Sequence, residues 1–297
     1  MSTSLPASSA YPAPKVLGRS RRLSFRLPPF DRPEGVYKVL GHRGARGTHP
    51  ENTLSAFRFA WDAGCRVLET DIQVTADGVG ICMHDDTLDR VTNLSGAVSE
   101  YEYADLKARA RVYGGHGLED SILRIEELIE EFPEAQLVID VKTPRAIQEL
   151  ARIINSTRSA ARICVTHNWD SWLEALRDMT SPLLQRNLGW ETLAELVKAA
   201  RTGVKPDPRI KVANWAHIAG SDSGLTLMDD PEFCQRFTDM AHDLGIGVRV
   251  WTVNDFSIMT RMWNQGVDAV FTDYPAQAIE LIRNQQRWNS YGDILHS

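Results

Sequence analysis

From residue 36 onward, short apolar runs alternate with longer amphipathic segments, and this alternation limits the fold more than any other feature. Runs such as VLETDIQV, QLVIDVK and VRVWTVN are rich in Val, Ile and Leu and predict strands. Segments such as NTLSAFRFAWDAG and PRAIQELARIIN space their apolar residues like one face of a helix. About eight such strands alternate with helices, and near-continuous apolar strands are typical of a parallel sheet. The sequence therefore predicts an α/β fold, a parallel TIM-type (β/α)8 barrel.

A doubly wound open sheet is the alternative fold. No G-x-G-x-x-G follows the first strand, so the sequence does not support a dinucleotide site. Neither a linker nor an internal repeat divides the alternating part of the chain. We therefore expect one barrel domain over residues 36–290, without a large insertion, followed by a tail over residues 291–297.

The first 30 residues differ from the rest, since they hold four Arg, one Lys, six Ser, five Pro and no acidic residue. Such a segment buries little apolar surface, so we expect residues 1–35 to form a flexible basic leader. The leader lacks the apolar stretch of a secretory signal, which favours a cytoplasmic protein. Its Ser- and Arg-rich composition leaves organellar targeting open.

Charge and hydropathy restrict the partners. The formal net charge is −6, which argues against nucleic acid because binding it needs a basic footprint. No apolar run has the length of a membrane-spanning helix. We therefore expect a small-molecule partner, and a homo-oligomer stays open.

Polar side chains follow the predicted strands at their carboxyl ends, where a barrel carries its active site. Glu69 and Asp71 are two residues apart and share one face of a strand. Burying two neighbouring carboxylates is costly without a cation, so we expect a divalent metal there. Oxygen ligands favour Mg²⁺ or Ca²⁺ over Zn²⁺. The other polar residues at strand ends include His42, Arg43, His84, Asp140, Lys142, His167 and Trp251.

Each of these features also has a purely structural explanation. An E-x-D pair is commonly a solvated strand edge, although the apolar neighbours Val67, Leu68 and Ile72 argue against that here. Asp140 and Lys142 could form a simple ion pair, and a single His at a strand end is often structural. It is their joint occurrence at successive strand ends that favours a functional site.

Four segments together resemble the glycerophosphodiester phosphodiesterase family within the PLC-like phosphodiesterase superfamily. They are GHRGARGTHPENTLSAF, LETDIQVTADGVGICMHDDTLDR, LVIDVK and VWTVNDFSIMTRMWNQGVDAVFTDYP, and they extend over about residues 38–285. The resemblance implies a TIM-type barrel and a divalent cation. It implies hydrolysis of glycerophosphodiesters to sn-glycerol 3-phosphate and an alcohol.

The resemblance also implies roles for individual residues. Glu69, Asp71 and Asp140 match the metal ligands, and His42 and His84 match the acid/base pair. The remaining matches are Arg43 and Lys142 as phosphate-binding residues, Trp251 as an aromatic beside the substrate, and Glu51 as a supporting acid. Asp140 departs from the family pattern, which often has Glu at this position.

Two histidines that titrate near neutral pH suit the transfer of one proton from the nucleophile and one to the leaving group. The nucleophile, water or an adjacent substrate hydroxyl, stays open.

Two rival functions also remain. One is a phosphodiesterase of the lysophospholipase D or sphingomyelinase D type, which would need an apolar surface for an acyl chain. The other is a non-catalytic barrel that binds phosphate compounds.

Overall fold

The computed structural model describes residues 39–206, 210, 213–220 and 227–284. The predicted leader (1–35) and tail (291–297) lie outside these described residues. None of the described helices is long and apolar enough to cross a membrane.

The described strands are β1 Val39–Gly41, β2 Val67–Val74, β3 Gly80–Cys82, β4 Val112–Tyr113, β5 Glu119–Asp120, β6 Gln136–Val141, β7 Ile163–Thr166, β8 Gln185–Arg186, β9 Trp215–Ala219, β10 Gly247–Trp251 and β11 Ala269–Thr272. The α-helices are α1 Leu54–Ala63, α2 Tyr103–Arg109, α3 Ile125–Glu131, α4 Pro144–Thr157, α5 Asp170–Met179, α6 Trp190–Thr202, α7 Pro231–Asp243, α8 Phe256–Asn264 and α9, described over residues 275–284. Short 3-10 helices cover Val98–Glu100, Gly115–Gly117, Ala160–Arg162 and Leu227–Asp229.

Eight parallel strands form a nearly closed barrel in the described part of the chain. Their order is β8-β7-β6-β2-β1-β11-β10-β9. Strands β8 and β9 approach through a parallel bridge between Asn187 and Trp215 and a 2.8 Å hydrogen bond from the amide of Leu188 to the carbonyl of Trp215. The predicted parallel barrel is therefore confirmed.

The hairpin after β2 returns the chain to the carboxyl end of the barrel. All eight residues of β2 are buried, as expected for a strand covered on both faces. Gly78 adopts a positive φ of 87° in the turn, a conformation that glycine tolerates without a steric penalty. Strand β3 then pairs antiparallel with β2, with Ile72 opposite Cys82. His84 follows β3 directly and so lies at the same end as β2.

A small insertion between β3 and α3 contains α2 and the hairpin of β4 and β5. It has its own apolar cluster, which includes Leu88, Val98, Leu106 and Ile122. The sequence analysis did not identify these elements, because strands of two residues leave almost no periodicity. Their small size agrees with the expected absence of a large insertion.

Candidate active site

The loop between β1 and α1 forms one wall of the site and carries two residues with unusual backbone conformations. Arg43 and Asn52 have positive φ angles of 48° and 60°. Non-glycine residues adopt this conformation at a cost, and it occurs often at functional sites. The amide of Asn52 donates to the carbonyl of Arg43 at 3.0 Å. The two strained residues therefore hold each other in place.

The loop uses this conformation to hold the two carboxylates of β2. The amide of Arg43 donates to Oε2 of Glu69 at 2.8 Å. Nδ2 of Asn52 donates to Oδ2 of Asp71 at 3.0 Å, and Oδ1 of Asn52 accepts from the hydroxyl of Thr70 at 2.8 Å. Glu69 and Asp71 are both buried, so their orientation is fixed from the loop side.

The two carboxylates differ in charge state because their surroundings differ. Burial, followed by the neighbouring charge of Asp71, raises the pKa of Glu69 to about 7. Burial opposes ionisation of Asp71 as well, but the charges of Lys142 and Arg43 outweigh it and lower the pKa of Asp71 to about 2. Burial is therefore the main reason that the charged form of Glu69 is disfavoured.

Lys142 lies between two predicted metal ligands. Its Nζ is 2.9 Å from Oδ1 of Asp71 and 2.5 Å from Oδ2 of Asp140. The register of β2 and β6 places Asp71 directly beside Asp140. The hydroxyl of Thr166 on β7 donates to Oδ1 of Asp140 at 2.9 Å. The structure thus brings together Asp71, Asp140 and Lys142, all predicted from the sequence.

The carboxylate groups of the predicted ligands are of a type that binds divalent cations, but their present arrangement does not form a metal site. Among the described residues, no group of three or more His, Cys, Asp or Glu side chains is arranged to hold a metal ion. The lysine ammonium takes the position between Asp71 and Asp140 that a cation would share. The carboxylate oxygens suit Mg²⁺ or Ca²⁺, and the raised pKa of Glu69 indicates an unmet need for positive charge. The metal site therefore stays a prediction.

The ring of His42, which follows the first strand of the barrel, is held by a carboxylate that follows the last strand. Its Nδ1 lies 2.6 Å from Oδ1 of Asp273, the residue after β11. Nδ2 of Asn254 donates to the other oxygen of Asp273 at 3.0 Å. Burial opposes ionisation of Asp273, but the hydrogen bond and charge of His42 lower the pKa of Asp273 below its usual value. The pair fixes the ring of His42 through its Nδ1.

His84 has an equivalent partner. Its Nδ1 lies 2.6 Å from Oδ1 of Asp85. Burial lowers the pKa of His84, as do Arg43 and Lys142, whereas Asp71 acts in the opposite direction. Both predicted acid/base histidines are thus tied through Nδ1 to a carboxylate.

Glu51 binds arginines rather than facing open solvent. Its Oε1 accepts from Nη1 of Arg43 at 2.8 Å, and its two oxygens accept a bidentate pair from Arg90 at 2.7 and 2.9 Å. Glu51, expected from the resemblance to be a supporting acid, thus contacts Arg43 in the structure.

The other sequence candidates are dispersed. Trp251 ends β10 with 42% of its surface exposed. The guanidinium of Arg249 stacks on Trp215 inside the barrel at 3.5 Å, and the ring of His167 stacks on Trp172 at 4.1 Å. Of these candidates, Trp251 is the one that ends a strand and remains largely accessible.

The sequence analysis missed several residues that position the site. Asp273 follows the last strand, so the same strand-end rule would have identified it. Asp85 and Arg90 stand in the quoted motif next to His84, but nothing in their spacing indicates which groups they bind. The missed set comprises Asn52, Asp85, Arg90, Thr166 and Asp273.

Known proteins share extended sequence similarity with this chain. Residues 42–277 match the model of the glycerophosphoryl diester phosphodiesterase family. A glycerophosphodiester phosphodiesterase of Bacillus altitudinis is 26% identical over 257 residues, which cover 82% of this chain and 97% of that protein. A lysophospholipase D of Rattus norvegicus is 26% identical over 271 residues, covering 82% of this chain and 86% of that protein.

The barrel is also similar to solved structures. A phosphodiesterase of Oleispira antarctica, solved in complex with the product sn-glycerol-3-phosphate, superimposes with a TM-score of 0.64. The two sequences are 22% identical, and the match covers 84% of this chain and 97% of that one. At this identity the likeness supports the fold.

Proposed function

Because the chain belongs to the glycerophosphoryl diester phosphodiesterase family, it is a phosphoric diester hydrolase, and we propose which roles its residues have in the reaction. The substrate is a glycerophosphodiester, and the products are sn-glycerol 3-phosphate and an alcohol. The observation that carries the proposal is that His42 and His84 each have Nδ1 bound to a carboxylate at the same end of the barrel. Each ring then presents Nε2 to the reacting groups.

In the proposed reaction one imidazole Nε2 accepts a proton from the attacking hydroxyl. A bond forms between that oxygen and phosphorus, and the bond from phosphorus to the alcohol oxygen breaks. The second imidazole donates its Nε2 proton to the departing oxygen. His84 suits the accepting role because burial lowers the pKa of its ring and so favours the neutral imidazole.

Arg43 and Lys142 bind the phosphate oxygens in this proposal. Two carboxylates already flank Lys142, and burial opposes its charge, but Asp71 and Asp140 raise its pKa above the usual value. Lys142 therefore remains cationic at neutral pH. Glu69, Asp71 and Asp140 would hold one divalent cation, Mg²⁺ or Ca²⁺, once Lys142 turns toward the substrate. The chemistry supplied by such a cation is electrostatic stabilisation of the phosphate oxygens in the transition state.

Identifying the phosphorus-containing product tests the reaction class. Glycerophosphocholine incubated with the enzyme and Mg²⁺ or Ca²⁺ should give sn-glycerol 3-phosphate by ³¹P NMR. Phosphocholine as the product would place the cleavage on the other side of phosphorus and contradict the proposal. No product from either glycerophosphocholine or glycerophosphoethanolamine would favour the alternatives.

Two exposed tryptophans favour a second candidate substrate, a lysophospholipid. Trp169 and Trp190 are 63% and 67% exposed. They lie at the starts of α5 and α6, on the same end of the barrel as the site, and the amide of Trp190 donates to the carbonyl of Asn168 at 2.7 Å. Exposed aromatic surface beside a phosphodiester site suits an acyl chain. The matching lysophospholipase D of Rattus norvegicus supports this candidate.

A further inference from the structure

Arg90 connects two carboxylates that each hold a different residue of the site. Its Nε donates to Oδ2 of Asp85 at 2.5 Å. Its Nη1 and Nη2 donate to the two oxygens of Glu51 at 2.9 and 2.7 Å. All three guanidinium nitrogens are thus bound to carboxylates, and this planar arrangement is specific to arginine.

Each of these two carboxylates also binds, and so orients, one residue of the site. The second oxygen of Asp85 binds Nδ1 of His84 at 2.6 Å. Oε1 of Glu51 also accepts from Nη1 of Arg43 at 2.8 Å. A continuous chain of hydrogen bonds therefore runs from His84 through Asp85, Arg90 and Glu51 to Arg43.

The charges along this chain alternate, so each member stabilises the next. The hydrogen bonds to Glu51 raise the pKa of Arg90 above its usual value. Burial opposes ionisation of Asp85, but Arg90 and His84 lower its pKa to about 2. Glu51 is 8% exposed, so without Arg90 it would be a buried carboxylate with a smaller share of compensating charge.

We propose that Arg90 is a positioning residue that couples the imidazole of His84 to the phosphate-binding guanidinium of Arg43. This inference rests on the proposed function for the roles of His84 and Arg43. Among the described residues, the hydrogen bonds of the Arg90 side chain go to Asp85 and Glu51, so its influence on His84 and Arg43 passes through these two carboxylates. If Arg90 only stabilised the fold, its replacement would lower the free energy of unfolding and leave the titration midpoint of His84 unchanged.

Arg152 provides a matched control elsewhere on the barrel. Its Nε and Nη2 bind Glu149 at 2.8 and 2.7 Å, and Nη2 also binds Glu126 at 2.9 Å. It too is an arginine between two carboxylates, but it lies on α4 and takes no part in the site. Arg152→Gln therefore removes the same kind of interaction without touching His84.

The test combines kinetics with the titration of His84 by ¹⁵N NMR on the full chain. The His84 signal is assigned by its loss in His84→Gln. The charges of Asp71, Arg43 and Lys142 and the hydrogen bond of Asp85 act on the ring, and Arg90→Gln removes the cation that binds both Asp85 and Glu51. The expected results are a higher titration midpoint for His84 and a 10- to 100-fold lower kcat, a range typical for groups that orient a site residue. Arg90→Lys, which can restore one of the two contacts, should recover part of kcat, and Arg152→Gln should match the wild type.

Three other outcomes of this test would lead to different conclusions. An unchanged His84 midpoint and a near wild-type kcat in Arg90→Gln would overturn the coupling. Equal losses in Arg90→Gln and Arg90→Lys with a lowered Tm and an unchanged midpoint would show a clamp that only stabilises the fold. If the wild type cleaved no glycerophosphodiester while the midpoint still moved, the proposed function would fail and the electrostatic coupling would stand.

Discussion

Oδ1 of Asp273 lies 2.6 Å from Nδ1 of His42, although the two residues are 231 positions apart in the chain. Strands β1 and β11 are neighbours in the barrel, and this adjacency places the two side chains together. The closure of the barrel therefore creates the pair that fixes one acid/base histidine.

Replacing Asp273 by Asn should lower kcat by about 10- to 100-fold, because the ring of His42 would lose the carboxylate that sets its orientation and tautomer. KM should change little, since Asp273 lies behind His42 and not on the phosphate side. Steady-state kinetics with glycerophosphocholine measure both values. A kcat within twofold of the wild type would contradict this role for Asp273.

Asp273 should also make stability depend on pH. Its folded pKa lies below the unfolded value of about 3.9. A depressed carboxyl pKa stabilises the fold above the unfolded pKa, and this stabilisation is lost as the pH falls through the folded pKa. The Tm difference between wild type and Asp273→Asn should thus be full at pH 7 and shrink below about pH 4. A difference that is constant over this range would argue against the ionised pair.

Cation binding should raise the Tm if Glu69, Asp71 and Asp140 form a metal site. At a free cation concentration of a hundred times Kd, binding to the folded state raises the free energy of unfolding by about 2.7 kcal/mol. Asp71→Asn should abolish the shift with both Mg²⁺ and Ca²⁺, whereas Asp62→Asn on the exposed side of α1 should keep it. Equal shifts in the two variants would place any bound cation elsewhere.

The exposed tryptophans should distinguish the two substrate classes. Trp169→Ser combined with Trp190→Ser should raise KM for lysophosphatidylcholine several-fold and leave glycerophosphocholine turnover unchanged. Met179 and Leu183 are 42% and 43% exposed after the far end of α5 and provide a control of similar apolarity. If their Ser variants gave the same KM change, the effect would not come from the site end of the barrel.

Much of this arrangement follows from local patterns in the sequence. The apolar strands predicted the barrel. Asp77-Gly78 is a hairpin turn pair that is recognisable in the sequence, and it joins β2 to the antiparallel strand that brings His84 near β2. The two-residue spacing of Glu69 and Asp71 correctly placed both side chains on one strand face. These features depend only on strand periodicity and turn chemistry.

Other features depend on contacts between distant parts of the chain. The bond between His42 and Asp273 exists because the first and last strands meet, and the double contact of Arg90 exists because the insertion folds over the β1–α1 loop. The position of Lys142 between Asp71 and Asp140 depends on side-chain geometry that strand spacing does not specify. Physical reasoning from single motifs cannot assign such partners.

The most direct test measures release of sn-glycerol 3-phosphate from glycerophosphocholine by the wild type, His42→Gln and His84→Gln, with Arg58→Gln as a surface control. Arg58 pairs with Glu131 and is half exposed, on the side of α1 facing α3. We expect release by the wild type and the control, and a loss of at least about a hundredfold in each histidine variant, which is the lower end of the range for general acid–base catalysis. Near-full turnover by either histidine variant would contradict this expectation.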